Sequence, residues 1–138
     1  MEEAGYELLE HPADVGIRSW GPTQGTAFEQ AAWGLVELLG IRREGSGDRR
    51  TISVSSPDLP GLLVEFLNEL IFLHETEGVA VADIRVTRLA ETGLDAEVET
   101  VPLDRAPEGT VVKAATYYRL RVDRSPDGRT EVQVFLDV

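Results

Sequence analysis

The chain has 138 residues, 42% of them hydrophobic, which is enough for one core and too little for two. It has no cysteine, so disulfides, thiolate catalysis and cysteine-based zinc sites are excluded. Twenty-five acidic residues against thirteen basic ones leave a net charge of −12, a field that repels nucleic-acid phosphates and attracts a basic partner. Direct binding of nucleic acid is therefore not expected.

The N-terminus Met1-Glu2-Glu3 is acidic, and the apolar residues after it alternate as in a strand rather than forming a leader. The segment Leu62 to Leu73 is interrupted by Glu65, Asn68 and Glu69, so it does not read as a membrane span. A cytoplasmic protein with no membrane association is expected.

Tyr6–Glu10 and Gly16–Trp20 read as short strands, joined through His11-Pro12-Ala13-Asp14. Pro12 lacks a backbone donor and disfavours helix at His11, which makes the link a turn or irregular crossing. Thr23 caps a helix predicted to run to about Leu39. Its stripe is Ala27, Phe28, Ala31, Ala32, Leu35, Val36 and Leu39, the spacing of one buried face, and Gly40 supplies the stop. Residues 42–50 are polar and glycine-rich and read as a surface loop with solvated arginines.

Thr51–Ser55 reads as a strand with β-branched residues at alternate positions. Ser56 and Pro57 then look like the cap and first residue of a second helix, which ends between His74 and Gly78. Leu59, Leu62, Leu63, Phe66, Leu67, Leu70 and Ile71 give it a strong core face. The rest is β: 79–89, 94–101, 111–122 and 131–138. Glu91-Thr92-Gly93 and Ser125-Pro126-Asp127-Gly128 make turns between them. With no internal repeat or linker, residues 1–138 form a single α+β domain. The simplest arrangement is two-layered: one largely antiparallel sheet with two helices packed on it.

The chemical inventory is short. No Walker or Rossmann glycine loop is present, and neither histidine, His11 or His74, neighbours a nucleophile elbow. His74 lies at a helix C-terminus, where the dipole favours a cation, and Glu65 and Glu69 read as a solvated face. Two acids stand out. Asp14 sits between strands, and Asp137 neighbours the carboxylate of Val138. Gathered together, these anions would repel unless a hard cation such as calcium or magnesium joined them. The residues alone leave open whether they meet or are unrelated turn aspartates. The basic set is twelve arginines and one lysine, Lys113. Either it marks a position that needs a compact ammonium, or it is a leftover of compositional bias.

Several stretches resemble the archease family at matching spacing. His11-Pro12-Ala13-Asp14-Val15-Gly16-Ile17 is similar to its opening motif, with Pro12 where threonine is commoner. Gly21-Pro22-Thr23 with Ala27-Phe28-Glu29-Gln30-Ala31-Ala32 resembles its first helix, and Leu62 through Leu70 its second. Val112-Lys113-Ala114 through Thr116-Tyr117 resembles its late signature strand, and Leu136-Asp137-Val138 its terminus. Thr100-Val101 and Tyr118 depart from the pattern, where Gly-Glu and histidine are usual.

The resemblance implies an α+β fold and a calcium-type (Ca2+) metal site on Asp14, Asp137 and Val138, the last through its backbone or terminal carboxylate. It also implies a functional lysine at Lys113. The activity it implies is non-enzymatic: activation of an RtcB-type GTP-dependent RNA ligase in tRNA splicing or RNA repair. A general chaperone-like protein-binding module is the alternative. A metal-dependent hydrolase using Asp14 and Asp137 is the weakest reading, because no nucleophile or general base stands beside the acids.

Overall fold

In a computed structural model of the chain, residues 3–11, 14–40, 47–103 and 109–138 are described. Two helices and antiparallel strands make an α+β fold, as expected. Strand β1 (Gly5–His11) pairs with β2 (Asp14–Gly21), and helix α1 (Gln24–Leu38) follows. Then come β3 (Asp48–Ser55), helix α2 (Leu59–Glu77), β4 (Val79–Leu89) and β5 (Gly93–Pro102). The short β6 (Ala114–Ala115), β7 (Arg121–Arg124) and the final β8 (Thr130–Asp137) complete the chain. No helix among the described residues is long and apolar enough to cross a membrane.

The strands divide into two sheets rather than the one expected. A five-stranded sheet runs β1-β2-β8-β6, with β7 also paired to β8, and a three-stranded sheet runs β3-β5-β4. The physical reason lies at the margins of β4 and β6. A helix side chain, not another strand, takes an outward N–H of each: Glu29 Oε1 accepts from Val86 N at 2.8 Å, and Asn68 Oδ1 from Ala115 N at 2.8 Å. The helices bridge the sheets, and one apolar cluster joins Ile17, Val134 and Leu136 to Phe28, Leu35, Phe66, Leu67, Ile84 and Val98.

Local signals explain most element ends. The Thr23 hydroxyl accepts from Thr26 N, capping α1, and Gly40 turns away with φ 77°. For α2 the expected cap is corrected: Asp58 accepts from Gly61 N, so Pro60, not Pro57, sits in the first turn. Asp and Ser are equally good caps, and the competing Ser56-Pro57 pair lies two residues earlier. Gly78, at φ 64°, ends α2. Strand β3 starts at Asp48 because Asp48, Arg49 and Arg50 pair with Thr100, Glu99 and Val98. The expected polar loop is correspondingly shorter, and its residues 42–46, like Pro12 and Ala13, lie outside the described residues. Residues 111–122 do not form one strand. The chain turns at Tyr118 and Arg119 between β6 and β7.

Glu29 adds a pH dependence to the fold. Burial pushes its carboxyl above the 4.5 of a free glutamate, and the negative charge of Asp83 adds to this, while the Val86 amide and Arg85 oppose it. The native state thus holds this proton where the unfolded chain has lost it. Its contribution is fully present below about 4.5 and is lost as pH rises through the higher folded value. Glu29→Gln keeps an acceptor for Val86 without the charge. Its unfolding free energy should vary less steeply with pH just above 4.5, as read by urea titrations at several pH values. An unchanged pH slope would remove Glu29 as the cause.

Candidate functional site

The antiparallel register of β2 and β8 sets Asp14, at the start of one strand, directly opposite Asp137, at the end of the other. Residues so paired share a face, with Cβ atoms about 4.5–5.5 Å apart. The row extends to His11 of β1, which pairs with Asp14, and to Ala114 of β6, which pairs with Asp137. Lys113 precedes Ala114, and its N–H donates to Asp137 O at 2.8 Å. Asp14 is half-buried, Asp137 is exposed, and Val138 is 37% exposed beside them. Lys113 is exposed. Four positions spread from residue 14 to residue 138 thus meet at one end of one sheet.

Alternation along β2 and β8 separates two faces. Ile17, Ser19, Val132, Val134 and Leu136 are buried with the helices, and the Ser19 hydroxyl donates to Ala27 O at 2.7 Å. Asp14, Gly16 and Arg18 lie on the opposite face with Asp137, Phe135 and Gln133. There the Phe135 ring lies across Gly16. A Cβ at position 16 would sit 2.8 Å from Phe135 Cε1 and 3.1 Å from Leu9 Cβ, so a side chain would displace the ring. Tyr118 meets Phe135 edge-on at 5.5 Å. Further along, Arg18 bonds Glu131 at 2.6 Å and Glu7 at 2.9 Å, and those two carboxylates hold its proton more tightly. The acids of the row therefore sit beside an aromatic shelf, on a face whose other end carries the Arg18 ion pairs.

No group of three or more His, Cys, Asp or Glu that could hold a metal ion occurs among the described residues. The expected set has two such side chains, Asp14 and Asp137, with Val138 contributing through its main chain. Its donors are all oxygen, the type that suits calcium or magnesium. With only two carboxylates, main-chain oxygens and water would have to complete the coordination. A hard cation fits this all-oxygen donor set better than zinc, whose sites are built mainly from nitrogen and sulfur. Among the described residues, one concavity of about 580 Å³ lies at Thr23 and Arg124, and one of about 530 Å³ lies at His74 and Val112, the latter adjoining Lys113. The acid row is an exposed rim suited to contact.

The model of the Archease protein family (MTH1598/TM1083) matches residues 6–138. The chain belongs to the archease family. The protein archease of Thermococcus gammatolerans is 36% identical over 139 residues, covering 96% of this chain and 98% of its own. That of Methanosarcina barkeri is 33% identical, covering 96% and 95%. The fold agrees with solved structures. Protein 1598 of Methanobacterium thermoautotrophicum superposes with a TM-score of 0.72 at 22% identity, covering 97% of this chain and 99% of its own. An archease of Thermotoga maritima, titled a possible chaperone, superposes at 0.68 with 24% identity, covering 96% of each.

Within this archease, sequence reasoning missed three features of the site's surroundings: the Phe135–Tyr118 shelf, the clasp of Asn68 on Ala115, and the conformation of Arg119. Gly16 within a strand was the available signal for the first, since an interior strand glycine marks close approach. Asn68 in an otherwise apolar helix face was the signal for the second.

Proposed function

We propose that this archease activates an RtcB-type GTP-dependent RNA ligase, promoting its guanylylation and multiple turnover in tRNA splicing or RNA repair, without catalysing a reaction itself. The observation that carries the reading is the row in which Asp14 faces Asp137 while the main-chain N–H of Lys113 bonds Asp137 O. Asp14, Asp137 and the main-chain oxygens of Val138 would hold a divalent cation, calcium by donor type. When bound, such a cation would offset the charge of the facing carboxylates and hold them together. Lys113 presents a compact ammonium from an exposed position, able to reach a partner's nucleotide or metal site where a planar guanidinium is too broad. The net charge of −12 favours a basic protein partner and opposes direct RNA contact. The lack of cysteine is consistent with action in the cytoplasm.

The decisive assay is ligation with RNA in excess over a ligase from the same source, with and without this protein, alongside ligase guanylylation. Stimulation of multiple turnover is expected, and its absence would sink the assignment. A general chaperone-like module is the second reading, favoured by the exposure of Val111 and Tyr117 near the row. A pull-down separates the two: one dominant protein for the activator, many for the chaperone.

The cation has its own test. Calcium should raise the melting temperature of the wild type by mass action. The rise should vanish in Asp14→Ala and Asp137→Ala. An equal rise in both variants would put the stabilising cation elsewhere.

A further inference from the structure

Arg119 adopts φ 51°, the sole positive φ at a non-glycine among the described residues. Left-handed backbone crowds a Cβ against the next carbonyl, so glycine is the favoured occupant. Gly40, Gly78 and Gly128 fill the other described positions of positive φ. An arginine held in such a conformation is a strain that the surroundings enforce, and its persistence points to use of the side chain.

The surroundings do not need that side chain. The Arg119 carbonyl accepts from Gln133 Nε2 at 3.0 Å, and Leu120 N donates to Tyr117 O at 3.3 Å. Both are bonds that glycine at 119 would keep. The guanidinium's own contact lies over the exposed Tyr118 ring, 5.2 Å from its centroid.

Nor is its charge neutralised. Arg18, Arg49, Arg50, Arg85 and Arg88 each reach a carboxylate at 2.6–3.6 Å. Lys113, Arg119 and Arg121 have no such partner among the described residues. In a chain with 25 acids to 13 bases, these three cations fall within residues 113–121. That stretch also carries Tyr117 and Tyr118, 63% and 44% exposed.

We infer that the Tyr117–Arg119 elbow is a preorganised contact for an acidic patch on a protein partner. The partner is the ligase, so the inference rests on the function proposed above. Tyrosine and arginine held in place by their own protein supply much of the energy of protein interfaces. The elbow continues from the Lys113–Asp137 row, so a partner reaching that row meets it as well. Protein is favoured over RNA because the Arg119 guanidinium covers a face of the Tyr118 ring that a base would stack on.

The test sets stability against binding. Arg119→Gly should melt no lower than wild type, and up to about 3 °C higher, since it relieves the strained backbone. Its affinity for the ligase, titrated directly, should fall about tenfold, and Arg119→Glu should fall further. Wild-type affinity in Arg119→Gly would overturn the inference and leave ligase activation standing. A wild type that neither binds nor stimulates the ligase would remove both together. If wild type binds a single-stranded RNA oligonucleotide and Arg119→Gly does not, the elbow is a nucleic-acid contact and the protein-contact inference is wrong.

Discussion

Lys113→Ala should fold and melt like wild type yet leave the ligase at its unassisted multiple-turnover rate. The side chain is exposed, so its removal costs at most about 0.5 kcal/mol of stability. The backbone bond from Lys113 N to Asp137 O survives the substitution, and with it the placement of the segment leading into β6. Lys113→Arg keeps the charge and loses the compact, rotatable ammonium, and it should fail as well. Ligation with RNA in excess, read beside melting curves of the same preparations, checks both. Full stimulation by folded Lys113→Ala would take the lysine out of the mechanism. Stimulation by Lys113→Arg but not by Lys113→Ala would reduce its role to charge alone.

Gly34→Leu should destabilise the protein strongly, although it only adds apolar atoms to α1. Glycine in mid-helix costs about 1 kcal/mol relative to alanine, so its presence there needs a reason. The reason is the close approach of α1 to β2. A Cβ at position 34 would lie 2.9 Å from Ile17 Cγ2 and 3.2 Å from Tyr6 Cδ2. Ile17 is wholly buried and has no room to retreat. Alanine trades better helix propensity against this clash and should change stability little. Leucine forces the helix off the sheet at a cost of about 3 kcal/mol, near the upper range for overpacking. For a domain of this size the melting temperature should drop by roughly 10 °C. Urea midpoints of wild type, Gly34→Ala and Gly34→Leu measure the series. A leucine variant as stable as wild type would mean that the helix has slack at this crossing.

Elements governed by local chemistry were readable before any coordinates. Val79–Leu89 has the bounds expected of it, and α1 begins behind its Thr23 cap. Apart from the cap of α2, where two local signals two residues apart competed, the failures share a cause. Whether Asp48–Arg50 continue β3 depends on partners in β5, some fifty residues away. Whether 111–122 stays one strand depends on the Arg119 turn, whose backbone no arginine advertises. The division into two sheets depends on which strand margins receive helix side chains. The candidate site was legible as residue types, two acids and a lone lysine. Their convergence was not, because the pairing of residue 14 with residue 137 leaves no periodic trace. Only the family resemblance put them together in advance.

The clasp of Asn68 on Ala115 and of Glu29 on Val86 bears on how copies of this protein behave in concentrated solution. An unpaired strand margin is a template onto which a second molecule can zip. Here an amide and a carboxylate each occupy a backbone donor that an incoming strand would need. The two margins closed in this way belong to different sheets, and one of them, β6, follows directly after Lys113. Self-assembly along that margin would bury the lysine against another copy. By plugging it, α2 keeps the acid–lysine end open to a foreign surface.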